Sequence, residues 1–80
     1  MYYAYILESK KVKGKRYIGY TSDLRKRLIH HNNGKCKHTA RHTPWKVVVY
    51  LGFESEKLAR AFERYLKSGS GYAFAKRHFS

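Results

Sequence analysis

Tyr2-Tyr3-Ala4-Tyr5-Ile6-Leu7 and Arg16-Tyr17-Ile18-Gly19-Tyr20, separated by a basic turn over residues 10–15 that contains Gly14, decide how this chain folds. Both runs are rich in aromatic and aliphatic residues, and the loop between them is short and polar, so they read as antiparallel strands of a hairpin. Strand periodicity places Tyr3, Tyr5 and Leu7 on one face and Ala4 and Ile6 on the other. On the partner strand Tyr17 and Gly19 share a face opposite Ile18. A third strand is expected over residues 45–53, where Val47-Val48-Val49 form the β-branched run of a buried strand.

Two helices follow from capping and spacing. Thr21-Ser22-Asp23 is an N-cap cluster, and Leu24, Leu28 and Ile29 recur at helical spacing up to the stop signal Asn32-Asn33-Gly34. Arg27 and His31, four residues apart, share one stripe of this helix. Glu54-Ser55-Glu56 opens a second helix with Leu58, Ala59, Phe62, Tyr65 and Leu66 as its apolar stripe, ended by Ser68-Gly69-Ser70-Gly71. Residues 72–79 allow a short basic helix, and the tail from Tyr72 to Ser80, with Lys76, Arg77 and His78, either clamps DNA or covers the sheet. The expected architecture is α+β: one domain over residues 1–80, a small three-stranded antiparallel sheet flanked by two to three helices.

Composition narrows the function. Eighteen Lys and Arg stand against five Asp and Glu, a formal charge of +13 spread along the chain, so a polyanion such as nucleic acid is the simplest partner. With 42% apolar and 16% aromatic residues the chain can build a small core and is no disordered basic tail. Cys36 is the single cysteine, which removes an internal disulfide and cysteine zinc sites and suits a reducing compartment. No apolar run reaches the roughly 20 residues of a membrane span, and the start of the chain lacks a signal-peptide pattern, so a cytoplasmic location and no membrane partner are expected.

The same counting bears on chemistry. Phosphodiester hydrolysis needs a base for water, positive charge for the phosphorane and help for the leaving oxygen. Glu8, Asp23, Glu54, Glu56 and Glu63 are scattered, which argues against a two-metal carboxylate cage. Glu63 falls near the buried stripe of the second helix, so its carboxylate must meet a cation, a metal or water. It reads either as an edge glutamate paired with Lys or Arg, or as the ligand of one Mg2+ that keeps most of its waters. His31 reads either as an acid/base or hydrogen-bond partner beside Arg27 or as a solvated helix-end histidine. His30, His31, His38 and His42 make no zinc motif, and no nucleophile elbow is present.

Tyr17-Ile18-Gly19, an upstream Tyr3-Ala4-Tyr5 that keeps one signature tyrosine, the 11 residues between Tyr5 and Tyr17, the run from Thr21 to Leu28 with His31-Asn32-Asn33-Gly34-Lys35, and Glu63 in Phe62-Glu63-Arg64-Tyr65-Leu66-Lys67 together resemble the GIY-YIG nuclease superfamily, above all its small stand-alone bacterial members. The resemblance implies an endonuclease in which Tyr5 and Tyr17 line the site and one of them activates water. Arg27 would contact the scissile phosphate, His31 would assist, and Glu63 would hold a single Mg2+ or Mn2+, with no small-molecule cofactor. Lys15, Arg25, Lys26, Lys35, Lys37, Arg41 and Lys67 are the candidate contacts to DNA or structured nucleic acid. The asparagine that follows the glutamate in some relatives has no counterpart in residues 69–72. Two other classes stay open: a nucleic-acid-binding module, for DNA or RNA, that keeps the scaffold without turnover, and a small basic partner of structured RNA.

Overall fold

The first tyrosine-rich run becomes β1 (Tyr2–Ser9), the middle strand of a sheet ordered β2-β1-β3 in the computed structural model, which describes residues 1–79. It pairs antiparallel with β2 (Arg16–Thr21) and β3 (Trp45–Phe53). Ser80, the last residue of the expected tail, lies outside the described residues. Helix α1 (Leu24–Asn32) covers one face of the sheet, and α2 (Glu56–Lys67) with α3 (Gly69–Phe79) covers the other.

Covering both faces explains why the first strand is apolar at nearly every position. Ala4, Tyr5, Ile6 and Leu7 are all buried, a pattern usual in sheets sandwiched between helices. Tyr5 and Leu7 pack with Trp45, Tyr17, Leu24, Leu28 and Val47, while Ile6 packs with Leu66, Ala75, Ile18 and Phe62. The expected division of the hairpin into two faces is therefore realised.

The valine run holds a feature that its composition does not display. Ile6 pairs with Val49 and Leu7 with Val47, so Val48 is an extra residue at a β-bulge. Regular alternation would put Val47 and Val49 on the same face. With the bulge, Val47 joins the Tyr5 cluster and Val48 and Val49 join the Ile6 cluster, so one strand feeds both cores.

The helices begin where their caps predict. Asp23 accepts the Lys26 N–H at 3.0 Å, and Ser55 accepts the Leu58 N–H at 3.2 Å. Their apolar stripes are narrower than the spacing indicates. Ala59 and Leu66 are buried and Phe62 half-buried, but Leu58, Tyr65 and, on α1, Ile29 are exposed. An 80-residue molecule lacks a further layer to cover the flanks of these helices.

The stretch Ser68-Gly69-Ser70-Gly71 ends α2 as expected, and it also starts α3 three residues earlier than the tail reading allowed. The Ser68 hydroxyl donates to the Tyr65 carbonyl at 2.6 Å, closing α2, and accepts the Gly71 N–H at 3.1 Å, opening α3. The elbow is tight: a Cβ on Gly71 would lie 1.8 Å from the Tyr65 carbonyl oxygen, whereas one on Gly69 would meet nothing. The resulting helix covers the sheet with Phe74, Ala75 and Phe79 and leaves Tyr72 exposed.

Because the clash at Gly71 is with backbone, Gly71→Ala should cost about 2 kcal/mol or more in urea denaturation. Gly69→Ala, two residues away in open space, should be neutral or slightly stabilising in the same measurement.

Candidate active site

Tyr5 is buried in the middle strand, and its ring needs room on the neighbouring one. Its partner across the ladder is Gly19. A Cβ at Gly19 would stand 2.5 Å from the Tyr5 hydroxyl oxygen and 2.8 Å from Cζ, so the glycine of Tyr-Ile-Gly is the space in which the Tyr5 phenol lies.

A buried hydroxyl must find a partner. The Tyr5 oxygen is 3.0 Å from His31 Nε2, and His31 Nδ1 is 2.8 Å from the Thr39 hydroxyl. Thr39 in turn donates to the Cys36 carbonyl at 3.3 Å, and its own carbonyl accepts the Trp45 indole N–H at 2.9 Å. His31 and Thr39 are both fully buried, which discards the solvated-histidine alternative. One proton arrangement satisfies every group: Tyr5 O–H donates to Nε2, Nδ1–H donates to Thr39, and Thr39 donates to Cys36. Asn32 fixes the end of α1 beside this relay, accepting the Trp45 N–H at 2.6 Å and donating to the Trp45 carbonyl at 3.2 Å.

The electrostatics agree with a neutral relay. Burial raises the Tyr5 pKa above the usual phenol value despite the opposing Arg27 guanidinium beside its oxygen. His31 is pushed down to about 4, chiefly by burial and then by Arg27 and His30. Arg27 sits one helical turn before His31, and its contact with Tyr5 raises its own pKa further. The Arg27 Nε is shut away from solvent without a hydrogen-bond partner among the described residues. Tyr17, half-buried, tilts its ring toward His31 with centroids 5.0 Å apart.

Four of the five expected catalytic residues, Tyr5, Tyr17, Arg27 and His31, thus come together on the α1 side of the sheet. Glu63 lies on α2, whose apolar stripe covers the opposite face. As expected from its spacing it points inward, its side chain only 14% exposed, and its partner is Lys67 one turn later. Arg60, on the same stripe, lies over the Tyr20 ring at 5.8 Å, so the acid is carried on the side of α2 next to β2, the strand of Tyr17. No hydrogen bond or ion pair joins Glu63 to the four-residue cluster among the described residues, and no three His, Cys, Asp or Glu side chains group there to hold an ion. Lys15, Arg25, Lys26, Lys35, Lys37, Arg41 and Lys67 are all exposed.

Thr39 and Cys36 were invisible in the sequence because they sit in an irregular loop with no periodicity to read. Gly19 had a usable signal, its place opposite Tyr5 in the hairpin register.

The three-stranded sheet thus carries a tyrosine, arginine and histidine cluster on its α1 side. The profile of the GIY-YIG catalytic domain matches residues 1–74, and the chain belongs to the GIY-YIG family, whose members are generally divalent-metal-dependent nucleases acting on nucleic acid. It is similar to a UPF0213 protein of Streptococcus pneumoniae, 44% identical over 66 residues that make up 81% of this chain and 65% of the relative. The matched region therefore spans just under two thirds of that protein. A UPF0213 protein of Clostridium perfringens is 40% identical over 84% of this chain and 71% of its own length. Among solved structures, the solution NMR structure of the UPF0213 protein BH0048 from Bacillus halodurans superposes with a TM-score of 0.57 at 32% identity, covering 100% of this chain and 88% of that one. No helix of the described residues is long and apolar enough to cross a membrane.

The neutral His31 ties folding to pH. Between its ordinary 6.5 and about 4, the unfolded chain binds a proton at this position that the folded chain does not, so stability falls on acidification. From pH 7 to pH 4 this one group should remove roughly 3 kcal/mol. Urea denaturation should therefore show a steeper acid loss in wild type than in His31→Gln.

Proposed function

We propose that this chain is a metal-dependent endonuclease that hydrolyses phosphodiester bonds in DNA or structured nucleic acid, with Tyr17 as the phenol that activates water. The observation that carries this reading is the buried relay. Tyr5 keeps its proton and gives it in a hydrogen bond to neutral His31, so it is held away from solvent and from substrate. Tyr17, beside the same histidine but half-exposed, is then the tyrosine that water can reach, and its oxygen, with its own proton already given up to solvent, would take the proton of the attacking water.

Tyr5 and His31 act as positioning residues. The Tyr5 oxygen faces the Arg27 guanidinium and aims it, and Arg27 supplies fixed positive charge to a phosphate entering beside Tyr17. Glu63 fits a single Mg2+ or Mn2+: it is one inward carboxylate whose only ion-pair partner among the described residues is an ammonium, which a divalent ion would displace. A bound ion would add Lewis-acid charge at the phosphate and the leaving oxygen. The exposed Lys15, Arg25, Lys26, Lys35, Lys37, Arg41 and Lys67 neutralise flanking phosphates, and the lone Cys36 accords with a cytoplasmic setting.

The separation of Glu63 from the tyrosine cluster favours a second reading, a nucleic-acid-binding module without turnover. The two readings part on cleavage. With Mg2+ or Mn2+, wild type should nick supercoiled plasmid or cut labelled single-stranded and branched oligonucleotides, and chelation should stop it. Tyr17→Phe, Arg27→Ala and Glu63→Gln should each slow cutting at least about 100-fold while the proteins stay folded. Salt-sensitive binding without cutting in any metal would leave the binding module.

A further inference from the structure

On the sheet face away from the tyrosine cluster, a groove of about 630 Å3 runs between the β1–β2 turn and α3. Its floor is apolar, made by Ile18, Leu66 and Ala75. Lys13 and Lys15 stand on the turn side and Lys76 on the helix side, while the one acid in the lining among the described residues, Glu8, is engaged with Arg16 at 3.2 Å. The groove is therefore strongly cationic around an apolar base.

Tyr72 lines the same groove and is 65% exposed. The neighbouring rings of α2 and α3, Phe62, Tyr65, Phe74 and Phe79, meet one another in a continuous series of tilted and edge-to-face contacts, whereas Tyr72 makes no ring contact among the described residues. A large ring left in water at the wall of a cationic groove offers a face for a planar ligand, with charge at hand for an attached phosphate.

We infer that this groove binds an unpaired nucleotide of a nucleic-acid strand, the base stacked on Tyr72 and its phosphates held by Lys13 and Lys15. Charge complementarity with Lys13 and Lys15 selects a polyanion. A duplex keeps its bases stacked inside and presents none to Tyr72. The strand then has a short route to the tyrosine cluster, because Ile18 in the groove and Tyr17 in the cluster are consecutive residues of β2, an edge strand with no further strand paired to it among the described residues. The inference rests on the proposed nucleic-acid partner but not on catalysis.

Fluorescence anisotropy in low salt without metal, using labelled oligothymidylate and a blunt duplex, tests the groove. Tyr72→Ala should weaken oligothymidylate binding about tenfold or more, Tyr72→Trp should retain it, and duplex binding should change less than about twofold. Lys13→Glu should weaken the oligothymidylate more than it weakens the duplex. Equal affinity of wild type and Tyr72→Ala for the single strand, or an equal loss for strand and duplex, overturns the inference. So does competition by free thymidine monophosphate as effective as by the oligonucleotide, which would make this a mononucleotide site. A wild type that shows the Tyr72-dependent difference but cuts nothing would sink the nuclease reading alone, and cutting with Tyr72-independent binding would sink this one alone.

Discussion

The hydroxyl of Tyr5 is buried at the centre of the molecule, and everything around it is arranged so that this polar atom is not left alone. An unpaired buried hydroxyl costs about 1–3 kcal/mol, enough to matter in a domain of this size. His31 meets it from α1, Thr39 holds His31 from a loop, and Trp45 holds Thr39 from β3. One hydrogen-bonded chain thus ties together the central strand, the first helix and the start of the last strand. The same chain removes Tyr5 and His31 from the pool of groups that can change charge near neutral pH, since burial holds the phenol protonated and the imidazole neutral.

Gly19 belongs to this constraint. Of the two signature tripeptides, the first departs from the family pattern at Tyr3 and Ala4 while the second is intact. The geometry gives a reason for the asymmetry in this chain. Its Ala4 is buried toward the helices of the opposite face, away from the Tyr5 ring, whereas a side chain at Gly19 would occupy the volume of the phenol itself.

Much of this was legible from residues alone, and the boundary between legible and hidden is physical. Strand alternation, the Asp23 and Ser55 caps and the inward aim of Glu63 follow from local periodicity and backbone chemistry, and the structure repeats them. The bulge at Val48 was hidden because three consecutive valines suit a regular and an irregular strand equally. The outer flanks of α1 and α2 are exposed at Ile29, Leu58 and Tyr65, since spacing identifies which residues share a stripe but not how wide a stripe the neighbours can cover. At the site, Arg27 and His31 could be paired from their separation along one helix. The contact of His31 with Thr39 depends on a loop path that no repeat encodes, and the choice between a metal and Lys67 as the partner of Glu63 turns on a side chain that sequence spacing equally allowed.

The serine between the last two helices has a consequence for how ligands are received. Since a single hydroxyl both terminates one helix and initiates the next, and Gly71 lets their backbones touch, the pair behaves as a bracket of fixed angle, not as two arms on a hinge. The α3 wall of the slot is consequently held in place before any guest arrives. A guest meeting that wall would cost little ordering entropy there.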